Sequence, residues 1–194
     1  HMGGDPDPNA PHELALPEDL LGSGQNNNTK LQPLNLILNA MYRITLEGTD
    51  LAGNTGKKFI MSVVYDNVPP VLKLSYPESN TAVNHLDIAY ALDEQLENAQ
   101  IIYTRVGGDP DPNSPVVVEL QGSELESSFE TQNTTSILPV LNDGSVYNIQ
   151  FKGVDLATNS SESNIIENIK YDVTRPKITI FYPSDNSFFM GSNI

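Results

Sequence analysis

The sequence predicts an all-β protein made of seven-stranded antiparallel β-sandwich domains in tandem, with about 105 residues per domain. Two observations favour this class. Short segments rich in Val, Ile, Tyr and Phe recur along the 194 residues, and clusters of Gly, Pro, Asn, Asp or Ser separate them. Three motifs also occur twice at a nearly constant spacing. No segment has a convincing helical periodicity.

The repeat is visible in three pairs of motifs. GGDPDPN at Gly3–Asn9 returns at Gly107–Asn113, 104 positions later. YRITLEGTDLAGN matches YNIQFKGVDLATN 105 positions later, and YDNVPPVLKLSYPESN matches YDVTRPKITIFYPSDN 106 positions later. Single-residue loop insertions account for the drift, and the unit has the size of one small β-sandwich domain.

Within one unit the alternation of apolar and polar residues predicts seven strands. DLAGN at Asp50–Asn54 and DLATN at Asp155–Asn159 are interpreted as tight hairpin turns, because Asp accepts backbone amides and Gly or Asn tolerates positive φ. We interpret Asp93–Ala99 as a connection. The predicted strands are Val71–Tyr76, Leu86–Leu92, Ala99–Val106, Val116–Leu120, Thr135–Leu141, Val146–Val154 and Ile165–Val173.

Proline-containing segments predict the links between domains. DNVPP (Asp66–Pro70) and DVTRP (Asp172–Pro176) each follow the last strand of a unit, and proline stiffens the chain and cannot donate to a β-ladder. These links divide the chain into the C-terminal part of a first domain (1–68), one complete domain (69–173) and the first strand of a third (174–194).

The first domain is expected to lack its first three strands. Half a sandwich exposes one apolar face and an unpaired edge. The tail Lys177–Ile194 supplies only one strand, so we expect strand exchange or oligomerisation, or another frame in which 3–106 forms the complete domain. His1 and Met2 are interpreted as the remnant of a cloning tag.

Composition excludes several functions. Acidic residues outnumber basic ones 25 to 10, and the net charge of −15 argues against nucleic acids and anionic membrane surfaces as partners. The chain has no cysteine, which excludes disulfides, thiol nucleophiles and cysteine zinc sites. No run is apolar enough to insert in a membrane. His12 and His85 lie outside any catalytic motif, so we expect no enzymatic activity.

The order of these motifs resembles bacterial immunoglobulin-like and fibronectin type III-like tandem repeats. ILPVLNDGSVYNIQFKGVD (Ile137–Asp155) is similar to the fibronectin type III stretch in which Leu-x-Pro precedes a Tyr. The resemblance implies that Tyr147, and Tyr42 in the other copy, are tyrosine-corner residues whose hydroxyls bond upstream backbone. The chain departs from antibody domains in having no Trp and no inter-sheet disulfide.

The resemblance implies a bacterial surface or secreted protein in which this segment is a spacer, stalk or adhesion module. Its partners would be the neighbouring immunoglobulin-like repeats and an unidentified surface protein or glycan. The alternative is a carbohydrate-binding or accessory domain of a surface enzyme. That alternative needs exposed rings, for which Tyr90, Tyr103 and Tyr182 are the candidates.

Calcium is the cofactor for which the sequence offers ligands. The Asp-x-Asp-x-Asn spacing of the heptad places oxygens at alternate positions, as at the start of an EF-hand loop. The loop lacks the later Gly and Glu of that motif, and its prolines restrict curling, so a stiff acidic loop or a protein contact is the competing interpretation. The candidate ligands are Asp5, Asp7, Asn9, Asp109, Asp111 and Asn113.

A second calcium site is expected at the junction between domains, as the resemblance to calcium-stiffened bacterial arrays implies. Asp66 and Asp172 in the links would there face Asp50, Asp155 or Glu78. The competing interpretation is that these residues cap turns and solvate a hinge.

Overall fold

The computed structural model of this chain describes residues 1–17, 34–132, 135–182 and 188. Its regular structure is all β except for one 3₁₀ turn at Gly122–Leu125. The strands are β1 (Gly3–Gly4), β2 (Ala40–Thr49), β3 (Thr55–Val64), β4 (Leu72–Tyr76), β5 (Ala82–Val83), β6 (Ala89–Leu92), β7 (Leu96–Gly108), β8 (Val116–Glu119), β9 (Ser128–Gln132), β10 (Ser145–Asp155), β11 (Ser160–Glu162) and β12 (Ile166–Tyr171).

Backbone contacts divide the chain into two units. The first contains His1–Pro69 together with the turn Val154–Asn159, and the second contains Pro70–Gly153 and Ser160–Ile194.

The first unit contains one three-stranded antiparallel sheet in the order β1-β2-β3. β2 and β3 form a long hairpin in which Ile44 pairs with Ile60 and Thr49 with Thr55. The predicted turn Asp50–Asn54 joins them, and this prediction is confirmed.

The second unit contains two sheets that enclose a common apolar core. One has the order β5-β12-β10-β7-β8, with β11 on β10, and the other has the order β4-β6-β9. Tyr90 of β6 meets Phe151 of β10 across the core with ring centroids 5.2 Å apart, in an edge-to-face contact. The core residues on the strands include Leu72, Leu74, Tyr90, Leu92, Ile101, Tyr103, Val118, Tyr147, Ile149, Phe151, Ile166 and Ile169.

Strand β5 pairs in parallel with β12, the last strand of the second unit. Ala82 lies opposite Lys170, and Val83 lies opposite Tyr171. The amide of Lys170 donates to Thr81 and the amide of Asp172 donates to Val83, both at 2.9 Å. The pairs β1-β2, β2-β3, β4-β6, β6-β9, β7-β8 and β10-β12 are antiparallel.

The strand predictions agree with the structure in most places and are wrong in one, and the interpretation of Asp93–Ala99 as a connection is wrong from Leu96, where β7 begins. The predicted strand Thr135–Leu141 does not form, and β9 takes its place about seven residues earlier. Pro139 has no amide hydrogen for a ladder, and the buried Glu124 carboxylate accepts the amide of Ser136. The described residues of the second unit contain nine strands rather than seven, because short strands such as β5 and β11 are added.

The C-terminal tail was expected to open a third domain. Its residues 177–182 are exposed and form no strand. Residues 183–187 and 189–194 lie outside the described part of the chain.

A duplicated tyrosine corner as the candidate site

The repeated heptad begins where a strand must turn sharply. Gly4 and Gly108, the second glycine of each copy, have φ of 69° and 67°. A Cβ at Gly108 would lie 2.2 Å from the carbonyl oxygen of Gly144, and one at Gly4 would lie 2.0 Å from that of Asn39. A residue with a Cβ atom would overlap a backbone carbonyl oxygen and would need a positive φ, so both positions require glycine.

In the first unit this turn brings Asp7 beside Tyr42. The Tyr42 hydroxyl donates a 2.6 Å hydrogen bond to the Asp7 carboxylate, and its oxygen accepts the amide of Ile37 at 2.9 Å. The amide of Asn9 donates to the other Asp7 oxygen at 2.9 Å, and His12 Nε2 lies 2.6 Å from the oxygen that Tyr42 uses. The buried carboxylate therefore has partners on both oxygens.

The second unit repeats this arrangement with aligned residues. The Tyr147 hydroxyl donates to Asp111 at 2.6 Å and accepts the amide of Asn142 at 2.9 Å. The amide of Asn113 donates to the other Asp111 oxygen at 2.9 Å. Val116 aligns with His12, so the histidine contact belongs to the first unit. The bond to upstream backbone expected at Tyr42 and Tyr147 is present in both units.

These contacts shift the acidities of the groups involved. The Tyr42 hydroxyl, followed by His12, lowers the pKa of Asp7 from 3.8 to about 2. Burial, and then the bond to Asp7, raises the pKa of Tyr42. Burial and the bond to Asp111 likewise raise the pKa of Tyr147. At neutral pH each aspartate is therefore a charged carboxylate that accepts a hydrogen bond from a neutral tyrosine hydroxyl. Hydrogen bonds with one ionised partner are short and strong.

The heptad aspartates thus anchor a loop onto a strand through a phenol. Asp7 and Asp111 are the middle acidic positions of the predicted cation loops. In each of them one carboxylate oxygen accepts the tyrosine hydroxyl and the other accepts a backbone amide of the turn. A calcium ion would have to compete with these donors. Calcium binding by Asp5, Asp7 and Asn9, or by their counterparts, stays a prediction.

The four junction aspartates hold local turns. Asp50 accepts the amides of Ala52 and Asn54 and the side-chain amide of Asn54, and the Asn54 side chain is the main cause of its lowered pKa. Asp155 accepts the same three bonds from Ala157 and Asn159.

The link aspartates accept fewer bonds. Asp66 accepts the amide of Val68 at 3.0 Å. Asp172 accepts the amide of Thr174 at 3.2 Å and the ammonium of Lys170 at 2.8 Å. Calcium at the junction also stays a prediction, since local turn formation accounts for the bonds described.

The remaining candidate residues are His85, Tyr90, Tyr103 and Tyr182. His85 stacks on Tyr76, with ring centroids 5.8 Å apart, and lies 3.4 Å from the Asp87 carboxylate. It lines a cavity of about 20 Å³, which is room for about one water molecule. Tyr90 and Tyr103 are buried in the core, while Tyr182 is exposed.

The tyrosine–aspartate bond was not predicted from the sequence, in which the heptad and the tyrosine belong to separate motifs. The signal that could have found it is their common spacing. Asp7 precedes Tyr42 by 35 positions and Asp111 precedes Tyr147 by 36, with both motifs duplicated together. Motifs that recur as a pair at one separation are candidates for contact.

Among the described residues, no helix has the length and apolar character needed to cross a membrane. A comparison with protein-family models and with curated proteins finds no match to this chain.

Proposed function

We propose that this chain is a load-bearing spacer from a tandem array of immunoglobulin-like domains in a bacterial surface or secreted protein. Its work is mechanical: it extends or presents another module, and it adheres through exposed loops where a surface protein or glycan is the partner. Multivalency would supply affinity in such an array. Calcium at the junctions would stiffen it.

The parallel pairing of β5 with β12 carries this proposal. In sequence, β5 lies near the beginning of the second unit and β12 near its end, and the two strands run in the same direction. Tension applied through the chain ends therefore pulls the pair in opposite directions along the strands. The bonds from Lys170 to Thr81 and from Asp172 to Val83 are then loaded together in shear. An antiparallel pair at the ends would open one bond at a time.

The duplicated corner supports the tandem arrangement. Tyr42 and Tyr147 make the same two hydrogen bonds with nearly the same lengths. The turns at Asp50 and Asp155 are also built from the same three bonds. Sequence repetition accompanied by repeated side-chain geometry favours two copies of one domain type.

The burial of two tyrosines disfavours the carbohydrate-binding alternative. Tyr90 and Tyr103 face the core, so they are not available as exposed rings. A glycan array would reopen this alternative if the chain bound a defined sugar.

Single-molecule force spectroscopy tests the mechanical role. The chain is held between marker domains and stretched through its ends. The second unit should unfold in one event that releases roughly 35 nm, from about 100 residues at about 3.5 Å each. Val83→Pro, which removes an amide hydrogen from β5, should lower the unfolding force.

Val116→Pro is the matched control, because it removes an amide hydrogen that faces the neighbouring strand in β8, an edge strand that pairs with β7 alone, and Val116, like Val83, is a partly buried valine beside the core. This variant should reduce thermal stability and leave the unfolding force nearly unchanged. Equal loss of force in both variants, or unfolding of the unaltered unit without measurable resistance, would contradict the load-bearing role.

A further inference from the structure

The first unit exposes a sheet face whose aligned counterpart in the second unit is buried. The ladder places Ile44 and Ile60 opposite each other on this face, with Leu46 two residues along β2. In the second unit the aligned residues lie in the core. The exposed fractions are 51% for Ile44 against 2% for Ile149, 58% for Leu46 against 0% for Phe151, and 61% for Ile60 against 4% for Ile166.

The second unit shows which chemistry covers such a face. Its strand β4 contributes Leu72 and Leu74 to the core. Leu96 and Leu72 pack over Gly153 of β10, where an added Cβ would be 2.8 Å from the Leu96 Cδ1 atom and 3.3 Å from the Leu72 Cδ1 atom. The counterpart of Gly153 in the first unit is Gly48, and a Cβ there would meet nothing within 4 Å. The seat for a leucine-like side chain is thus present and open.

The chain also carries a segment that matches β4. KITIFY (Lys177–Tyr182) aligns with VLKLSY, so that Ile178 matches Leu72 and Ile180 matches Leu74. Ile178 is 83% exposed and Ile180 is 75% exposed, whereas the leucines they match are buried. Both the face and the segment are exposed, so each has apolar side chains that a second copy of the chain can cover.

We propose that the apolar face of β2 and β3 in one copy of this chain binds the segment Lys177–Tyr182 of a second copy, with Ile178 seated over Gly48. Each copy has one such face, in its first unit, and one such segment, in its second unit. The contact is therefore heterologous, and copies add head to tail until a ring closes or a chain grows. Copies of the chain can associate in this way whether or not the chain bears load.

Sedimentation velocity of the full chain tests the association. The average mass should rise over about a hundredfold range of concentration. Ile178→Asp combined with Ile180→Asp should weaken association by about tenfold or more, because it places charges against an apolar face. Thr179→Asp is the matched control. Thr179 aligns with the exposed Lys73. In a segment bound as an extended strand its side chain would point away from the face that Ile178 and Ile180 contact, so Thr179→Asp should leave association unchanged.

Disulfide trapping tests the register. The chain has no cysteine, so one chain carrying Gly48→Cys and a longer, tagged chain carrying Ile178→Cys can form a mixed disulfide without background. The mixed dimer should appear under mild oxidation and should be much weaker when Thr179→Cys replaces Ile178→Cys. Thermal unfolding of each variant checks that the second unit is intact.

Three results would overturn the proposal. The first is a monomer at every concentration. The second is association that the double aspartate variant leaves unchanged, which would assign the face to another occupant. The third is trapping of Gly48→Cys equally by both partner positions. A second unit that unfolds without measurable resistance to force would contradict the proposed load-bearing role and would leave the proposed association between copies untouched.

Discussion

The hydroxyl of Tyr147 donates a 2.6 Å hydrogen bond to the carboxylate of Asp111, which lies 36 positions earlier in the chain. This bond fastens the β7–β8 loop to β10. The phenol oxygen also accepts the amide of Asn142, so one side chain fixes two loops. Tyr42 does the same for the first unit.

Removal of this bond should destabilise the second unit. Tyr147→Phe leaves the Asn142 amide and the Asp111 oxygen without their partner, and the expected loss in unfolding free energy is about 1.5 kcal/mol, the low end for a bond to a charged group. Urea unfolding followed by circular dichroism measures it. Asp111→Asn should show strong coupling to Tyr147→Phe in a double-mutant cycle. Asp109→Asn removes a charge from the same loop but keeps the phenol's acceptor, so a similar loss in that variant would contradict this account.

The first unit should lose stability in acid because of Asp7. The pKa of this carboxyl is about 2 in the folded chain and 3.8 ordinarily, so the unfolded chain binds the proton more readily. The stabilisation is fully present above about pH 4 and disappears as pH falls through about 2. Unfolding free energies measured across this window should show the difference between the chain and Asp7→Asn shrinking towards acid. A constant difference between the chain and Asp7→Asn across this window would refute the assignment.

Two aligned glycines should respond differently to alanine. A Cβ at Gly153 would lie 2.8 Å from Leu96 Cδ1 and 3.3 Å from Leu72 Cδ1, so Gly153→Ala should cost about 1–3 kcal/mol through overpacking. Gly48→Ala meets open space and should change stability by less than about 0.5 kcal/mol. Thermal unfolding in dilute solution, where copies do not associate, compares the two. Equal costs would mean that the faces of the two sheets are covered alike.

Calcium should raise the melting temperature if either predicted site binds it. Binding to the folded state alone stabilises by about 2.7 kcal/mol at a hundred times the dissociation constant, and a chelator should reverse the shift. Asp66→Asn should abolish a junction effect, whereas Asp5→Asn or Asp109→Asn should abolish a loop effect. Asp87→Asn, at an exposed position outside both sets, is the control. A melting temperature that calcium leaves unchanged would remove both hypotheses.

Local features of the fold could be predicted from the sequence. The turns at Asp50 and Asp155 are made by side chains that bond amides two and four residues away, so the pattern DLAxN contains all the groups involved. The strand alternation around Tyr147 and Phe151 likewise indicates which residues face inwards. Such interactions can be predicted without knowing which distant segments pack nearby.

Contacts between residues that are far apart in sequence determined the features that could not be predicted. Thr135–Leu141 has the composition of a strand, yet Glu124 captures the amide of Ser136 from twelve positions away. Asp7 and Asp111 have the spacing of cation ligands, and a tyrosine about 35 positions later occupies them instead.

By itself the sequence determined the all-β class, the turns and the repeated motifs, because these depend on neighbouring residues. The tertiary structure decided which apolar faces are covered. Ile44 and Ile149 occupy the same place in the same motif, but only Ile149 is buried. The difference comes from a second sheet that packs against Ile149, and burial depends on what lies across a face and not on the residues that form it.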